Sequence, residues 1–192
     1  MKKILQKEAP VLREICQNIP LNSIGSPKIQ KIIKEMKVAL ASQDDGVAIA
    51  ANQIGYPLRI FVISKRVFEI DKIAKKSLDE TAKEGLDNTI KKDLSKINLV
   101  YINPVLKKVS KERKIVEEGC LSVRYLYGKV SRGNKATVEA LDENGKKFER
   151  GGTGLLAQIF QHEMDHLDGI LFIDKAKYVE EILPEKTSIQ KI

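Results

Sequence analysis

The stretch on which the reading turns is Gly154-Leu155-Leu156-Ala157-Gln158-Ile159-Phe160-Gln161-His162-Glu163-Met164-Asp165-His166-Leu167-Asp168-Gly169. Leu155, Leu156, Ile159, Phe160 and Leu167 recur at helical spacing. Gly151-Gly152-Thr153-Gly154 opens the segment, and Gly169 is a natural C-terminal stop. Inside it His162 and His166 stand four apart, one above the other on a helix face. Both imidazoles can therefore reach one metal ion, and Glu163 can reach a water on that ion and take its proton. These are the only two histidines in the chain, and the apolar Phe160 and Leu167 neighbour them.

Upstream, Ser26-Pro27 reads as an N-cap with proline at the first helical position. Ile29, Ile32, Ile33, Met36 and Leu40 continue it as an amphipathic helix from Lys28 to about Ser42. Strand character follows over Leu58–Ser64 and over Leu99–Val105, the latter broken at Asn103-Pro104. Residues 114–123 and 129–132 read as strands around an irregular Arg124–Gly128 link. Ala136–Leu141 alternates and turns at Asp142-Glu143-Asn144-Gly145, a hairpin signal. The tail, with Val179, Ile182 and Leu183, reads as a short helix. One helix, many strands and one more helix make an α+β pattern, with mixed or antiparallel sheets packed around the helix that carries the His-Glu-x-x-His segment.

The chain has 192 residues, 42% hydrophobic, enough for a single domain with its own core. Residues 65–97 break the pattern. Lys and Glu dominate there, Ser77-Leu78-Asp79-Glu80 fits a capping box, and Ile90, Leu94 and Ile97 suggest short helices. The segment reads as an insertion between two strands. The net charge of +8 comes from lysines spread among acids, so no direct DNA-binding surface is expected. No apolar stretch is long enough for a membrane span. The start lacks a signal-peptide run, and two cysteines make no disulfide framework. A cytoplasmic, reducing setting is expected.

A catalytic metal takes three protein ligands and keeps one position open. Glu180 or Glu181 downstream could serve as the third ligand, but the better candidate is Cys120 upstream, within Glu117-Glu118-Gly119-Cys120-Leu121-Ser122. Gly119 gives the backbone freedom for a close approach. Cys16 has no such context and reads as core.

Glu118-Gly119-Cys120-Leu121-Ser122 and Gln161-His162-Glu163-Met164-Asp165-His166-Leu167-Asp168-Gly169 resemble two signature motifs of peptide deformylases. Gly46-Val47-Ala48-Ile49-Ala50-Ala51-Asn52-Gln53 resembles the third. The resemblance implies removal of the formyl group from N-formylmethionyl nascent peptides, with release of formate. It implies that Cys120, His162 and His166 hold one divalent ion, Fe²⁺ first, with Zn²⁺, Ni²⁺ or Co²⁺ as alternatives. Glu163 would be the general acid/base, with Gln53 and the Leu121 N–H stabilising the oxyanion. Gly46, Val47 and Ala48 would run beside the substrate as an added strand, with Glu118 and Gly119 on the substrate-binding side. Glu118 would also pair with Arg132. Val47, Val116, Leu155 and Ile159 would line the methionine pocket. The ribosome, near the exit of new chains, is the expected wider partner.

The chain departs from that pattern at several places. Ala48 stands where a second glycine is usual, so its methyl is expected to crowd a peptide or to restrict φ. Asn52 and Arg124 occupy positions where proline is common, Tyr127 replaces a substrate-contacting arginine, and Gln158 replaces an apolar pocket residue. Two rival readings compete. A His-Glu-x-x-His peptidase would need a third ligand after His166. A non-catalytic binder, with a basic surface docked on RNA, is suggested by the net charge.

Overall fold

The structure is a computed structural model that describes residues 1–67 and 99–183. The 65–97 insertion, with its capping box and its Ile90-Leu94-Ile97 pattern, falls almost wholly outside the described residues.

Among the described residues, two α-helices and eight strands carry the fold. Helix α1 spans Pro27–Ala41, and the Ser26 hydroxyl accepts from the Ile29 N–H at 3.4 Å, the expected cap. A five-stranded sheet has the order β1 (Ala48–Ala50), β2 (Ile60–Ile63), β3 (Val100–Val109), β6 (Lys135–Leu141), β7 (Lys147–Thr153), every neighbour antiparallel. A second sheet joins β4 (Arg113–Cys120), β5 (Val123–Gly133) and β8 (Lys177–Glu181). Helix α2 is Gly154–Leu167 and carries both histidines.

Alternation along the strands divides the core. Ile49, Ile60, Val62, Val100 and Ile102 point to one face, where Ile29, Ile32, Ile33, Met36 and Leu40 of α1 cover them. Ala48, Ala50, Phe61, Ile63 and Tyr101 point to the other, against Leu156, Ile159, Phe160 and Leu167 of α2. Phe61 and Tyr101 stack there with ring centroids 4.5 Å apart. A third cluster of Leu12, Val123, Val130, Leu171 and Phe172 closes the smaller sheet.

Three expectations are corrected. Asn103-Pro104 does not break β3, which runs through it with a register shift and a φ of 47° at Asn103. The Asn103 side chain replaces the lost ladder contacts: its amide donates to the Ile19 carbonyl at 2.7 Å and its oxygen accepts from the Ile19 N–H at 2.8 Å. The Arg124–Gly128 link is part of β5, although Cys120 pairs with Val123 and Gly119 with Tyr127, so Arg124–Leu126 bulge outward. The tail is a strand, β8, which takes up the free edge of β5 through Leu126↔Glu181, Tyr127↔Glu180 and Lys129↔Lys177.

Candidate active site

Helix α2 ends at Leu167, and Gly169 turns the chain with φ 73°. A side chain at Gly169 would bring its Cβ within 2.6 Å of the Arg13 carbonyl oxygen, so only glycine fits. This stop places His162 and His166 in the last two turns, with rings 4.9 Å apart. Strand β4 delivers Cys120 to the same spot. The ligand atoms of Cys120, His162 and His166 all lie within 4.8 Å of one another, and Cys120 Sγ is 3.2 Å from His166 Nε2. Glu180 and Glu181, the downstream alternatives, sit exposed on β8 and are not in this group.

A buried chain of charges orients the group. Arg132 grips Glu118 in a fork, Nε to Oε1 at 2.7 Å and Nη2 to Oε2 at 2.8 Å. Its Nη1 reaches Asp165 at 2.6 Å, and Lys175 holds the other Asp165 oxygen at 2.6 Å. Glu118 Oε2 is also 3.0 Å from His162 Nδ1. A proton on Nδ1 leaves the Nε2 lone pair free for a metal, as an orienting carboxylate does in metal sites. Both Glu118 oxygens are engaged, by Arg132 and His162, and Glu118 also lines the cavity beside the metal-ligand group. Burial alone would raise the Glu118 pKa, but the hydrogen bonds from Arg132 and His162 overturn that and pull it down to about 2.

The donor set fits a divalent ion. The Cys120 sulfur accepts from the Ser122 N–H at 3.4 Å and from Gln53 Nε2 at 3.5 Å, which orients it toward the two imidazoles. Burial opposes charge on His162, yet hydrogen bonds to Cys120 and Glu118 and the Glu163 carboxylate hold its pKa well above the ordinary value. A divalent ion at this group would displace the Nε2 proton and take its place as the positive charge. His166 goes the other way: burial, then the positive His162, keep it neutral, as a ligand must be. Its Nδ1 is buried with no hydrogen-bond partner among the described residues. Three protein donors leave the fourth position of a tetrahedral site open.

Glu163 lines the adjoining cavity and is only 3% exposed. Its Oε2 has no hydrogen-bond partner among the described residues. Desolvation drives its pKa up to about 7, against the positive His162 and with help from the negative Glu118. Gln53 is pinned by its own oxygen, which accepts from the Ala50 N–H at 2.8 Å, while Nε2 donates to Ser122 Oγ at 3.0 Å and points to the sulfur. Asn52 ties this loop to α2 by donating to the His166 carbonyl at 2.6 Å.

The cavity holds about 290 Å³. Gly46, Val47 and Ala48 form one wall, Glu117 to Leu121 the facing wall, and Leu155, Gln158 and Ile159 the floor. Val116 is not among its walls; it pairs with Val130 one step beyond the lining segment. Gln158 is tethered to the Glu117 carbonyl at 2.8 Å. The Tyr127 ring covers Gly119, where a Cβ would meet it at 2.8 Å, so the glycine before Cys120 serves close approach of a ring. Ala48 is not among the residues with positive φ, and its methyl belongs to the core under α2, so no backbone strain attaches to it. Sequence reasoning missed Asp45 and Ser122 as parts of the site. Ser122 carried a signal, its place in the Cys120 motif; Asp45 carried none.

A helix-borne imidazole pair, a cysteine sulfur and a desolvated carboxyl beside an open cleft define a candidate metallohydrolase centre. The sequence profile of the Polypeptide deformylase family matches residues 1–181, and the chain belongs to that family. It is 42% identical over 175 residues to "Peptide deformylase 1A, chloroplastic" of Solanum lycopersicum, covering 91% of this chain and 59% of that one. It is 34% identical over 174 residues to "Peptide deformylase 2" of Clostridium acetobutylicum, covering 91% and 94%. The chain therefore spans about three fifths of the tomato relative's length (59%) and nearly all of the clostridial one's. A crystal structure of a peptide deformylase from Legionella pneumophila superposes with TM-score 0.71 at 34% identity, covering 92% of this chain and 86% of that one. Among the described residues no helix is long and apolar enough to cross a membrane.

Proposed function

We propose that this protein is a peptide deformylase that hydrolyses the formamide of N-formylmethionyl peptides, releasing formate and a free α-amine. The observation that carries this is the meeting of Cys120, His162 and His166 within 4.8 Å, with the buried Glu163 beside them. We read α2 as the helix around which both sheets are organised. We read the chain as one catalytic domain with a Lys/Glu-rich insertion at 65–97, which agrees with a family match running through residues 1–181.

Cys120, His162 and His166 would hold one divalent ion, Fe²⁺ in the resident form, with Zn²⁺, Ni²⁺ or Co²⁺ as substitutes. A thiolate with two imidazoles accepts all of these. When bound, the ion supplies Lewis acidity that brings a water within reach of deprotonation near neutral pH. Glu163, with its carboxyl near 7, is matched to take a proton from the attacking water and to return it to the departing nitrogen. The C–N bond then breaks with the amine as neutral leaving group. Gln53 Nε2 and the Leu121 N–H are the donors for the charge that grows on the formyl oxygen. Glu118 and Arg132 act at one remove, by fixing the His162 ring.

β1 ends one sheet and β4 ends the other, and the walls of the cavity come from these two outer strands. An extended peptide entering between them can add as a strand beside Gly46, Val47 and Ala48, with Gly119 on the far side. Its first side chain then falls toward Val47, Leu155 and Ile159. Peptides leaving the ribosome are the natural source of such substrates, and a reducing cytoplasm suits an unbridged Cys120.

The test is formate release from formyl-Met-Ala-Ser by protein purified without oxygen and loaded with Fe²⁺ or Ni²⁺. Release that disappears in Glu163→Gln supports the reading. A folded, metal-loaded wild type that releases none overturns it.

A further inference from the structure

Arg124 lines the cavity and reaches from β5 to the loop that leads into β1. Its Nη1 lies 2.5 Å from Asp45 Oδ2, its Nη2 lies 3.2 Å from Asp45 Oδ1, and Nη2 also donates to Gln43 Oε1 at 2.6 Å. The two partners belong to opposite walls. Asp45 leads into Gly46 and β1, the edge of the five-stranded sheet, whereas Arg124 sits in the bulge of β5 in the other sheet. Both line the cavity, and side-chain exposures of 59% and 30% place the pair at its rim. Arg66 braces the same loop from behind, donating to the Asp44 carbonyl at 2.8 Å.

We propose that Asp45 and Arg124 are positioning residues, a clasp that sets the Gly46–Ala48 edge against the β4 wall and so aligns the peptide beyond its first residue. Residues 44–46 precede the β1 ladder, which begins at Ala48. Backbone bonds hold the turn itself, from the Gly46 N–H to the Gln43 carbonyl at 3.2 Å and from the Ser64 N–H to the Val47 carbonyl at 2.8 Å, while the Arg124 side chain ties it to the other sheet. A peptide held between two strand edges needs them about 9–10 Å apart, twice the inter-strand spacing. A tie across the cleft holds that separation. An exposed pair of this kind contributes little to folding stability, so its loss bears on alignment far more than on the fold.

This inference rests on the deformylase reading, and the experiment separates the two. Metal-loaded wild type, Arg124→Ala, Asp45→Asn and the charge-swapped pair Asp45→Arg with Arg124→Asp are compared on formyl-methioninamide and on formyl-Met-Ala-Ala-Ala-amide. In each single variant the ratio of kcat/KM, long over short, is expected to fall about three- to ten-fold, mainly through KM of the long peptide. The swapped pair is expected to recover most of it, and melting temperatures should stay within a few degrees. The affinity for the product Met-Ala-Ala-Ala-amide should weaken by a similar factor. An unmoved ratio, equal losses on both substrates, or no recovery on swapping overturns the clasp. A wild type that hydrolyses neither substrate overturns the deformylase reading, and product binding then decides on the clasp by itself.

Discussion

Replacing Glu118 with Gln removes one charge from the centre of the network that holds His162. The carboxylate takes two hydrogen bonds from Arg132 and one from His162, and it is 4% exposed. Its pKa of about 2, against an ordinary 4.5, corresponds to about 3 kcal/mol of native-state stabilisation at neutral pH. Losing one partner of a buried pair typically costs about 3–5 kcal/mol. Asp165 still holds Arg132 in the variant, through Nη1 at 2.6 Å, so the lower end applies. For a chain of this size each kcal/mol moves Tm by about 2–4 °C, which gives a loss of roughly 6–12 °C.

The pH dependence has a definite sign. The folded-state pKa is depressed, so the contribution is whole above about 4.5 and is lost as pH falls toward about 2. By linkage, less than about half of it survives at pH 3. The gap in Tm between wild type and Glu118→Gln, measured on chelator-treated protein, should therefore be wide at pH 7 and should close by more than half at pH 3. With its Nδ1 partner weakened, His162 should also bind metal about 10–100-fold less tightly. A Tm gap under 2 °C at pH 7, or one as wide at pH 3, would refute the argument that Glu118 is ionised and held by Arg132 in the native state.

Four further outcomes are expected. Glu163→Gln should lower kcat/KM for formyl-Met-Ala-Ser by about 10²–10⁴ while metal content by elemental analysis stays at the wild-type level; an equal loss of metal would mean that Glu163 is structural. Cys120→Ala should abolish stoichiometric metal, whereas Cys16→Ala should keep it. In metal-free protein a thiol reagent at pH 7.5, chosen as about one unit below an ordinary thiol pKa, should modify Cys120 well before Cys16, whose burial lifts its pKa to about 11; equal labelling would place Cys16 outside the core. Gly169→Ala, at φ 73° and 2.6 Å from the Arg13 carbonyl, should cost at least about 2 kcal/mol in urea unfolding; an unchanged midpoint would show that the stop of α2 yields freely.

What was legible in the sequence and what was not divide along the distance between partners. The capped start of α1, the stop at Gly169 and the two imidazoles on one face of α2 depend on residues a turn or two apart, and local patterning reads them. Spacing alone did not decide on Cys120: Glu180 and Glu181 stayed admissible as weaker candidates until strand pairing set them, exposed, on β8 at the edge of β5. The Asn103-Pro104 break was misread because the rescue comes from Ile19, far away in sequence, whose N–H and C=O both bond to the Asn103 side chain. The tail helix was misread because β5 offers an edge, and an edge with unpaired N–H and C=O groups recruits a neighbour whatever that neighbour's own preference. The charge network adds a further step. Neither Glu118 nor Arg132 marks itself as buried, and a buried charge is tolerable only with its partner in place. Burying Arg132 between Glu118 and Asp165 therefore joins β4, β5 and α2 at one point. Those are the elements that present Cys120 and the two histidines, so the same ion pair that makes burial tolerable also helps to bring these three side chains together.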